Sequence, residues 1–337
     1  MGCIDVSLFN PRCVYGDKPF MLEDFLNQIN DTGFTVLDPS KRLFWGNILG
    51  AALLLLIIPG ADKLGRFKIL FSKKRWLHRS SLADMQVIAL NTVMRIFLFP
   101  ASLLSSVAVA AGLSLMLTYA FGGKPQLDLP PVLTSAVFTL CLFLADDFAR
   151  FYLHYLQHRW PYFWVFHQTH HSALVLTPLT LLRTHPFEIL TARIRNALTY
   201  GVVTGIFFYA IGEKVTAWDI LGTEILGFTF NFLGANLRHS EVWIHFGRLE
   251  KVFISPAAHQ VHHSIDDVHY DKNFGVCLAV WDRMFKTHFD PRGVKEPITF
   301  GLVDSPLSDP RQHVHVLYLQ PFKDFYMLLK ARYSKKT

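Results

Sequence analysis

Long stretches without charge alternate with short, strongly charged connectors along this chain. Phe44 to Ala61 carries no charge and one strongly polar residue, Asn47, while Ile96 to Gly123 carries no charge at all. Leu129 to Ala145 is uncharged up to Asp146 and Asp147. Asn196 to Gly212 is uncharged again, and Val215 to Leu237 holds only Asp219 and Glu224. Crossing a bilayer takes roughly 17–25 residues of helix, so these runs predict several membrane helices rather than the buried core helices of a soluble protein. The last two runs, turning at Glu213 and Lys214, predict a helical hairpin that enters and leaves by one face. Gly122, Gly123, Pro125, Pro130 and Pro131 mark a turn between two spans, since glycine and proline interrupt helices. No internal repeat or low-complexity linker is visible. The expected fold class is all-α: multi-pass membrane helices carrying a cytoplasmic-facing helical site.

Composition supports this. Of 337 residues, 51% are hydrophobic and only 18% charged, against about 45–50% and about 25% in soluble domains. The mean hydropathy is positive, +0.27. A net charge of +7 could suggest nucleic acid, but its placement argues against that partner. Lys63, Arg66, Lys68, Lys73, Lys74, Arg75 and Arg79 crowd the loop after the first apolar run. They alternate there with Phe67, Ile69, Leu70, Phe71, Trp76 and Leu77, as in a basic amphipathic segment on anionic lipid. The positive-inside rule places this loop in the cytoplasm. Residues 1–40, acidic apart from Arg12 and Lys18, fit the opposite side. Cys3, Cys13, Cys141 and Cys277 form no metal-ligand spacing and are expected as free thiols. No cleavable signal peptide is expected, because the first apolar run begins far from Met1.

The chemistry lies in the histidines. Eight of sixteen occupy three short motifs: His154-x-x-x-His158, His167-x-x-His170-His171 and His259-x-x-His262-His263. Residues three and four apart share a helix face, so each motif projects its imidazoles together. Eight imidazoles are too many for one tetrahedral ion and suit a two-metal site. Neutral imidazole accepts zinc, copper, iron or nickel. A zinc hydrolase pairs its histidines with an acid, as in His-Glu-x-x-His, and none of these motifs contains one. Ser255 and Pro256 supply a cap and a first-turn proline that aim the third motif. Topology agrees: if residues 62–85 are cytoplasmic, the 96–123 run leads out and the 129–150 run leads back, delivering His154 to the cytoplasmic face. The 196–237 hairpin returns the chain to that side, so all three motifs share a compartment. Asp147, seven residues before His154, could orient a ligand's second nitrogen or be a charge at the helix exit. Glu224, an acid within an apolar run, is a functional suspect.

These motifs, with Asp147-Phe148, Asn236-Leu237-Arg238-His239-Ser240, Asp271-Lys272-Asn273-Phe274-Gly275 and Trp281-Asp282-Arg283-Met284-Phe285, resemble the fatty acid hydroxylase/sterol desaturase superfamily. Its members are integral-membrane histidine-rich di-iron oxygenases. The resemblance runs from about residue 95 to 290. Lys286 departs from the glycine common at that place, and the first forty residues match nothing in the family pattern. Together with the apolar runs, this predicts four parts: an N-terminal segment 1–43, a first span with its basic interfacial loop 44–95, a catalytic domain 96–290, and a C-terminal tail 291–337. It carries His154, His158, His167, His170, His171, His259, His262 and His263 over as catalytic metal ligands. His239 carries over as a ninth, against an interfacial role. His185 is a further ligand, a ligand-orienting donor or a structural residue; His245 and His269 have interface or surface roles. His78, His288, His313 and His315 belong to surfaces.

The resemblance further implies two iron ions. With dioxygen, two electrons and protons, they would yield an oxidant able to take hydrogen from a lipid chain or ring, giving an alcohol or a double bond. A fatty acyl chain or sterol would enter laterally from the bilayer. The chain has no dinucleotide fingerprint, iron–sulfur cysteine set or fused haem domain, so an external ferredoxin, cytochrome or reductase is the expected electron donor. A zinc-dependent membrane hydrolase and a metal-transport protein are the competing readings.

Overall fold

A computed structural model describes residues 44–57, 63–98, 105–123, 125, 127, 129–212, 235–294 and 298–334. Among these residues the fold is helical, and extended pairing is limited to the isolated bridges Phe253–Leu278 and Ser264–Phe300. Residues 1–43, the second arm of the hairpin up to residue 234, Glu224, Cys3 and Cys13 lie outside the described residues.

Helix α1 covers Trp45–Ile57. The basic stretch after it is helical rather than a loop: α2 is Lys63–Leu70, α3 is Lys73–Trp76, and α4 is Arg79–Leu98. The 96–123 run does not form one helix. It holds the end of α4 and then α5, Ser106–Phe121, which starts where the Ser105 side chain accepts a hydrogen bond from the Ala108 amide. A serine at that position satisfies a donor that the first turn leaves open. Gly122, with φ of 76°, ends α5 in the left-handed conformation glycine adopts freely.

Two helices are long and apolar enough to cross a membrane: α6, Pro131–Arg159, and α8, Pro186–Ile211. The second begins ten residues before the uncharged run that announced it, because His185 caps it and Pro186 occupies its first turn. Between them lies α7, Pro161–His171. At 1.5 Å per residue, α6 is about 43 Å long and exceeds a hydrocarbon core of about 30 Å by about nine residues. His154 and His158 sit in that excess.

Helices α5, α6 and α8 pack as one group. Phe138 of α6 meets Phe207 of α8 edge to face at 5.0 Å. Against α5, α8 presents Gly201 and Gly205, four apart on one face. A Cβ on Gly201 would lie 2.5 Å from the Val109 side chain, and one on Gly205 only 2.8 Å from the Ala110 carbonyl oxygen. Small residues at this spacing let two backbones approach closely, which drives helix association in lipid. The outer faces remain apolar and exposed, including Leu115, Met116, Leu140, Leu144, Leu198 and Val202. A water-facing surface rarely carries so large an apolar patch.

The segment after residue 290, expected as a surface tail, ends in helix α11, Val314–Ser334, with Pro321 inside it. Proline lacks an amide hydrogen, which leaves the Leu317 carbonyl without its helical partner. The Thr169 hydroxyl donates to that carbonyl at 3.2 Å and so ties α11 to the histidine-bearing α7. Leu317 and Tyr318 pack with Ala83, Val87 and Leu307.

Replacing Gly205 by Val should destabilise the α5–α8 pair by about 1–3 kcal/mol, the usual cost of overpacking a close contact. Gly112→Ala, where the added Cβ meets nothing within 4 Å, should leave stability equal or slightly higher. Thermal unfolding of the two variants in one detergent measures the difference; equal losses would show that the close approach contributes nothing.

Candidate metal centre

Nine histidines converge in two adjacent groups. One comprises His154, His158, His167, His171 and His262; the other comprises His170, His239, His259 and His263. Within each group, ligand atoms from all members lie within 4.8 Å of one another. These are the nine residues expected from the sequence. Four segments deliver them: the end of α6, the last two turns of α7, the one-turn helix Ala235–His239, and α9, Pro256–His262, with His263 as its C-cap. Ser255 caps α9 as anticipated, accepting from the Ala258 amide at 3.1 Å.

The grouping follows helix geometry. Positions i and i+4 project together, whereas i+3 lies on the other side of that direction. His167 and His171 therefore serve the first group and His170 the second. On α9 the assignment is reversed: His259 and His263 serve the second group, and His262 the first. Each His-x-x-His-His motif gives a pair of imidazoles to one group and a single imidazole to the other. The two centres touch through His171 and His263, whose rings stack at 4.4 Å.

Hydrogen bonds at Nδ1 set the tautomers. His154 Nδ1 lies 2.8 Å from the Phe274 carbonyl, His262 Nδ1 2.8 Å from the Lys272 carbonyl, and His170 Nδ1 3.3 Å from the Arg183 carbonyl. A carbonyl only accepts, so these Nδ1 atoms carry the hydrogen and each Nε2 keeps a free lone pair. His167 Nδ1 donates to Glu188 Oε2 at 3.1 Å. The Nε2 atoms of His167 and His262 and the Nδ1 of His259 are buried without a hydrogen-bond partner. His239 Nε2 lies 3.1 Å from His259 Nε2, 3.2 Å from His263 Nε2 and 3.3 Å from His170 Nε2; His158 and His171 bring their Nε2 atoms to 3.2 Å. Metal–nitrogen bonds of about 2.0–2.1 Å bring neighbouring ligand nitrogens to this kind of separation. The two groups of converging imidazole nitrogens could each hold a metal ion.

Electrostatics points the same way. Burial holds His167, His171, His259, His262 and His263 far below the ordinary imidazole range and His170 at about 3, and the neighbouring imidazoles add to the effect. Neutral imidazole is the ligating form.

The Asp271–Gly275 and Trp281–Phe285 motifs act as the rack for two of these ligands. Lys272 and Phe274 offer the carbonyls that take His262 and His154. Asn273, in the left-handed region at φ 57°, donates to the Ala258 and Phe289 carbonyls and accepts from the Phe289 amide. Asp282 accepts from the Phe274 and Gly275 amides and from the Thr287 hydroxyl. Asp147 neither orients a ligand nor sits as an exit charge. It is buried and accepts from the Cys277 and Leu278 amides and the Trp281 indole, bracing the rack against α6. Lys286 has φ of 61°, a conformation that favours glycine.

His185 stands outside both groups. Its Nδ1 accepts from the Phe187 amide and its Nε2 donates to the Tyr318 carbonyl, so both nitrogens are used structurally. His245 is exposed and accepts from the Gly247 amide. His269, expected at a surface or interface, is buried against Phe289 with Nδ1 2.9 Å from the Ser264 hydroxyl. Glu188 escaped notice in the sequence: an acid in the first turn of a helix is common for dipole reasons alone. Arg183 is fully buried. It pairs with Asp84 at 2.9 Å, also donates to the Ser80 and Thr169 carbonyls, and offers its own carbonyl to His170.

Residues 139–287 match the fatty acid hydroxylase family, which supports the resemblance carried by the histidine motifs. Among curated proteins, it is similar to the alkylglycerol monooxygenases of Xenopus tropicalis and Homo sapiens. Each is 29% identical over 160 residues, covering 48% of this chain and 32% of the relative. The ornithine lipid hydroxylase OlsE of Rhizobium tropici is 27% identical over 193 residues, covering 55% of this chain and 53% of the relative. The chain thus spans about a third of the length of the alkylglycerol monooxygenases it matches. No solved structure matches it.

Glu188→Gln should weaken retention of transition metal by about 10–100-fold, the usual effect of removing a carboxylate behind a ligating imidazole. Metal content after graded chelator challenge, with circular dichroism as a folding control, measures this. Unchanged retention would remove Glu188 from the metal support.

Proposed function

We propose that this protein is a membrane-bound di-iron monooxygenase that hydroxylates a lipid. The observation that carries the reading is the pair of nitrogen-only groups, one of five and one of four imidazoles, at the end of an apolar helix long enough to cross a bilayer. The domain family and the lipid-hydroxylating relatives support it. All nine imidazoles would hold the metal pair, His154, His158, His167, His171 and His262 on one ion and His170, His239, His259 and His263 on the other. Two bound ferrous ions supply the means to activate dioxygen and insert one of its atoms into an unactivated C–H bond, the second atom leaving as water with two external electrons and two protons.

The protein's own residues hold and orient. The Lys272, Phe274 and Arg183 carbonyls and Glu188 keep four imidazoles in the tautomer that presents Nε2. Phe274, fully buried, lies beside His154, His158 and His262 at ring distances of 5.6, 4.9 and 5.6 Å and keeps water from that side of the first group. The site's place at the membrane end of α6 suits a substrate whose reactive carbon enters from the bilayer. Because the described ligands stand beyond the apolar part of α6 rather than along it, the arrangement does not favour metal transport. We further read α5, α6 and α8 as membrane crossings and the site as lying on the cytoplasmic face, beside the basic α2 and α3. The electron donor is a separate protein.

The test compares lipid extracts from a host expressing the protein with extracts from a His262→Ala control. A lipid that gains one oxygen only in the first host is expected, together with iron in the purified wild-type protein. A product lacking two hydrogens would replace hydroxylation by desaturation; zinc with hydrolysed lipid would overturn the oxygenase reading.

A further inference from the structure

We propose that two segments beside the metal-bearing helix, residues 247–253 and 280–286, form a rim that seats the domain on an anionic lipid surface. The one-turn helix Gly247–Lys251 leads into Val252 and Phe253; helix α10, Val280–Met284, leads into Phe285 and Lys286. They lie side by side: the Ala279 amide donates to the Val252 carbonyl at 2.8 Å, Phe253 bridges Leu278, and Arg283 Nη1 lies 3.4 Å from the Lys251 carbonyl.

Their side chains are sorted by charge. Both acids in these segments are buried. Glu250 accepts from the Phe246 amide, and Asp282 holds the Phe274 and Gly275 amides. Only cations and apolar groups remain outside: Arg248, Lys251, Arg283 and Lys286, with Leu249 57% exposed and Met284 64% exposed. A water-facing turn usually mixes signs and hides large aliphatic groups. Cations interleaved with exposed aliphatic and aromatic groups are the composition of a surface lying in the headgroup layer.

Position selects the bilayer over a soluble acidic partner. Leu140, Leu144, Phe148 and Tyr152 form an exposed stripe at four-residue spacing along α6. The rim meets the lower end of that stripe. Trp281 lies 5.1 Å from Phe148 with its indole on Asp147, and Phe285 lies 6.3 Å from Tyr152. The apolar surface of α6 therefore runs into Trp281 and Phe285, between which Met284 is exposed. Lys286 keeps its cation there although its φ of 61° would suit glycine better. Seated this way, the rim sets the depth of the histidine groups, because its Asp282 holds the Phe274 and Gly275 amides of the stretch whose carbonyls back His154 and His262.

The inference rests on α6 crossing the bilayer, and the experiment separates the two. Full-length protein is placed in nanodiscs of phosphatidylcholine alone or with phosphatidylglycerol, and amide hydrogen exchange is followed over residues 247–253 and 280–286. Exchange in both segments should slow several-fold in the anionic discs relative to detergent. The slowing should be lost when Arg248, Lys251 and Arg283 are replaced together by Glu, and reduced by Leu249→Ser with Met284→Ser. Lys286→Gly should stabilise the fold yet lessen the response to phosphatidylglycerol. Equal exchange in detergent and both discs overturns the rim. So does protection that depends on an acidic redox protein and not on lipid composition. Release of the whole protein from membranes by alkaline carbonate would instead defeat the spanning helix.

Discussion

One constraint organises the structure around the candidate site: nine imidazoles from four separate segments must pack into two adjoining groups. The solution is reciprocal. Helices α7 and α9 carry the same His-x-x-His-His pattern, and each sends its i, i+4 pair to one centre and its i+3 member to the other. Neither centre can form from one helix alone. The exchange locks the two motifs together and holds the centres close enough for His171 and His263 to stack. His154 and His158 then complete the first centre from α6, and His239 completes the second from its own short turn.

Such a cluster is costly to bury, and the surrounding structure fixes the other nitrogen of four rings, those of His154, His167, His170 and His262. Carbonyls do most of this, and those carbonyls are themselves anchored. Asp282 and Asn273 hold the Lys272–Phe274 stretch, Asp147 pins the next residues to α6, and the buried Arg183–Asp84 pair sets the Arg183 carbonyl. A buried ion pair is a weak source of net stability, but removing one partner is strongly destabilising because it strands the other charge. Arg183 is satisfied by two carbonyls, Asp84, the Ser172 hydroxyl and Gln312, the last from the far end of the chain. Replacing either charge alone would leave the other uncompensated beneath His170.

Much of this was legible in the sequence because histidine spacing and helix period are both local. The three motifs, the Ser255 cap and the apolar runs around α6 and α8 needed no tertiary information. The ninth histidine, His239, was readable only by resemblance, since nothing in its own neighbourhood distinguishes a ligand from an interfacial ring. What could not be read depends on contacts far apart in the chain. Glu188 resembles any first-turn acid until His167 arrives beside it. Asp147 offered two local meanings, and its role as a brace depends on amides 130 and 131 residues further along the chain. The 96–123 run looked like one span by hydropathy, which does not register that Ser105 starts a new helix. His269 looked like a surface residue because the ring that covers it, Phe289, is contributed by a later loop.

Helix length connects this chemistry to the membrane. An α6 ending at residue 150 would suffice for the hydrocarbon core, and its continuation to Arg159 holds the two ligands of the first motif beyond that core. The same continuation carries Phe148 and Tyr152, on which Trp281 and Phe285 rest, so one rigid element sets the height of the metal ligands and of the segment that supports them. A change in the depth of α6 would move His154 and the Phe274 carbonyl together, leaving their hydrogen bond intact. If α6 crosses the bilayer as proposed, the geometry of the centre would thereby be insulated from variation in bilayer thickness, while its distance from the lipid tails would not. On the proposed reading, in which one carbon of a lipid chain must come near the metals, that distance would select which carbon is reached, and the length of α6 beyond the membrane would fix it.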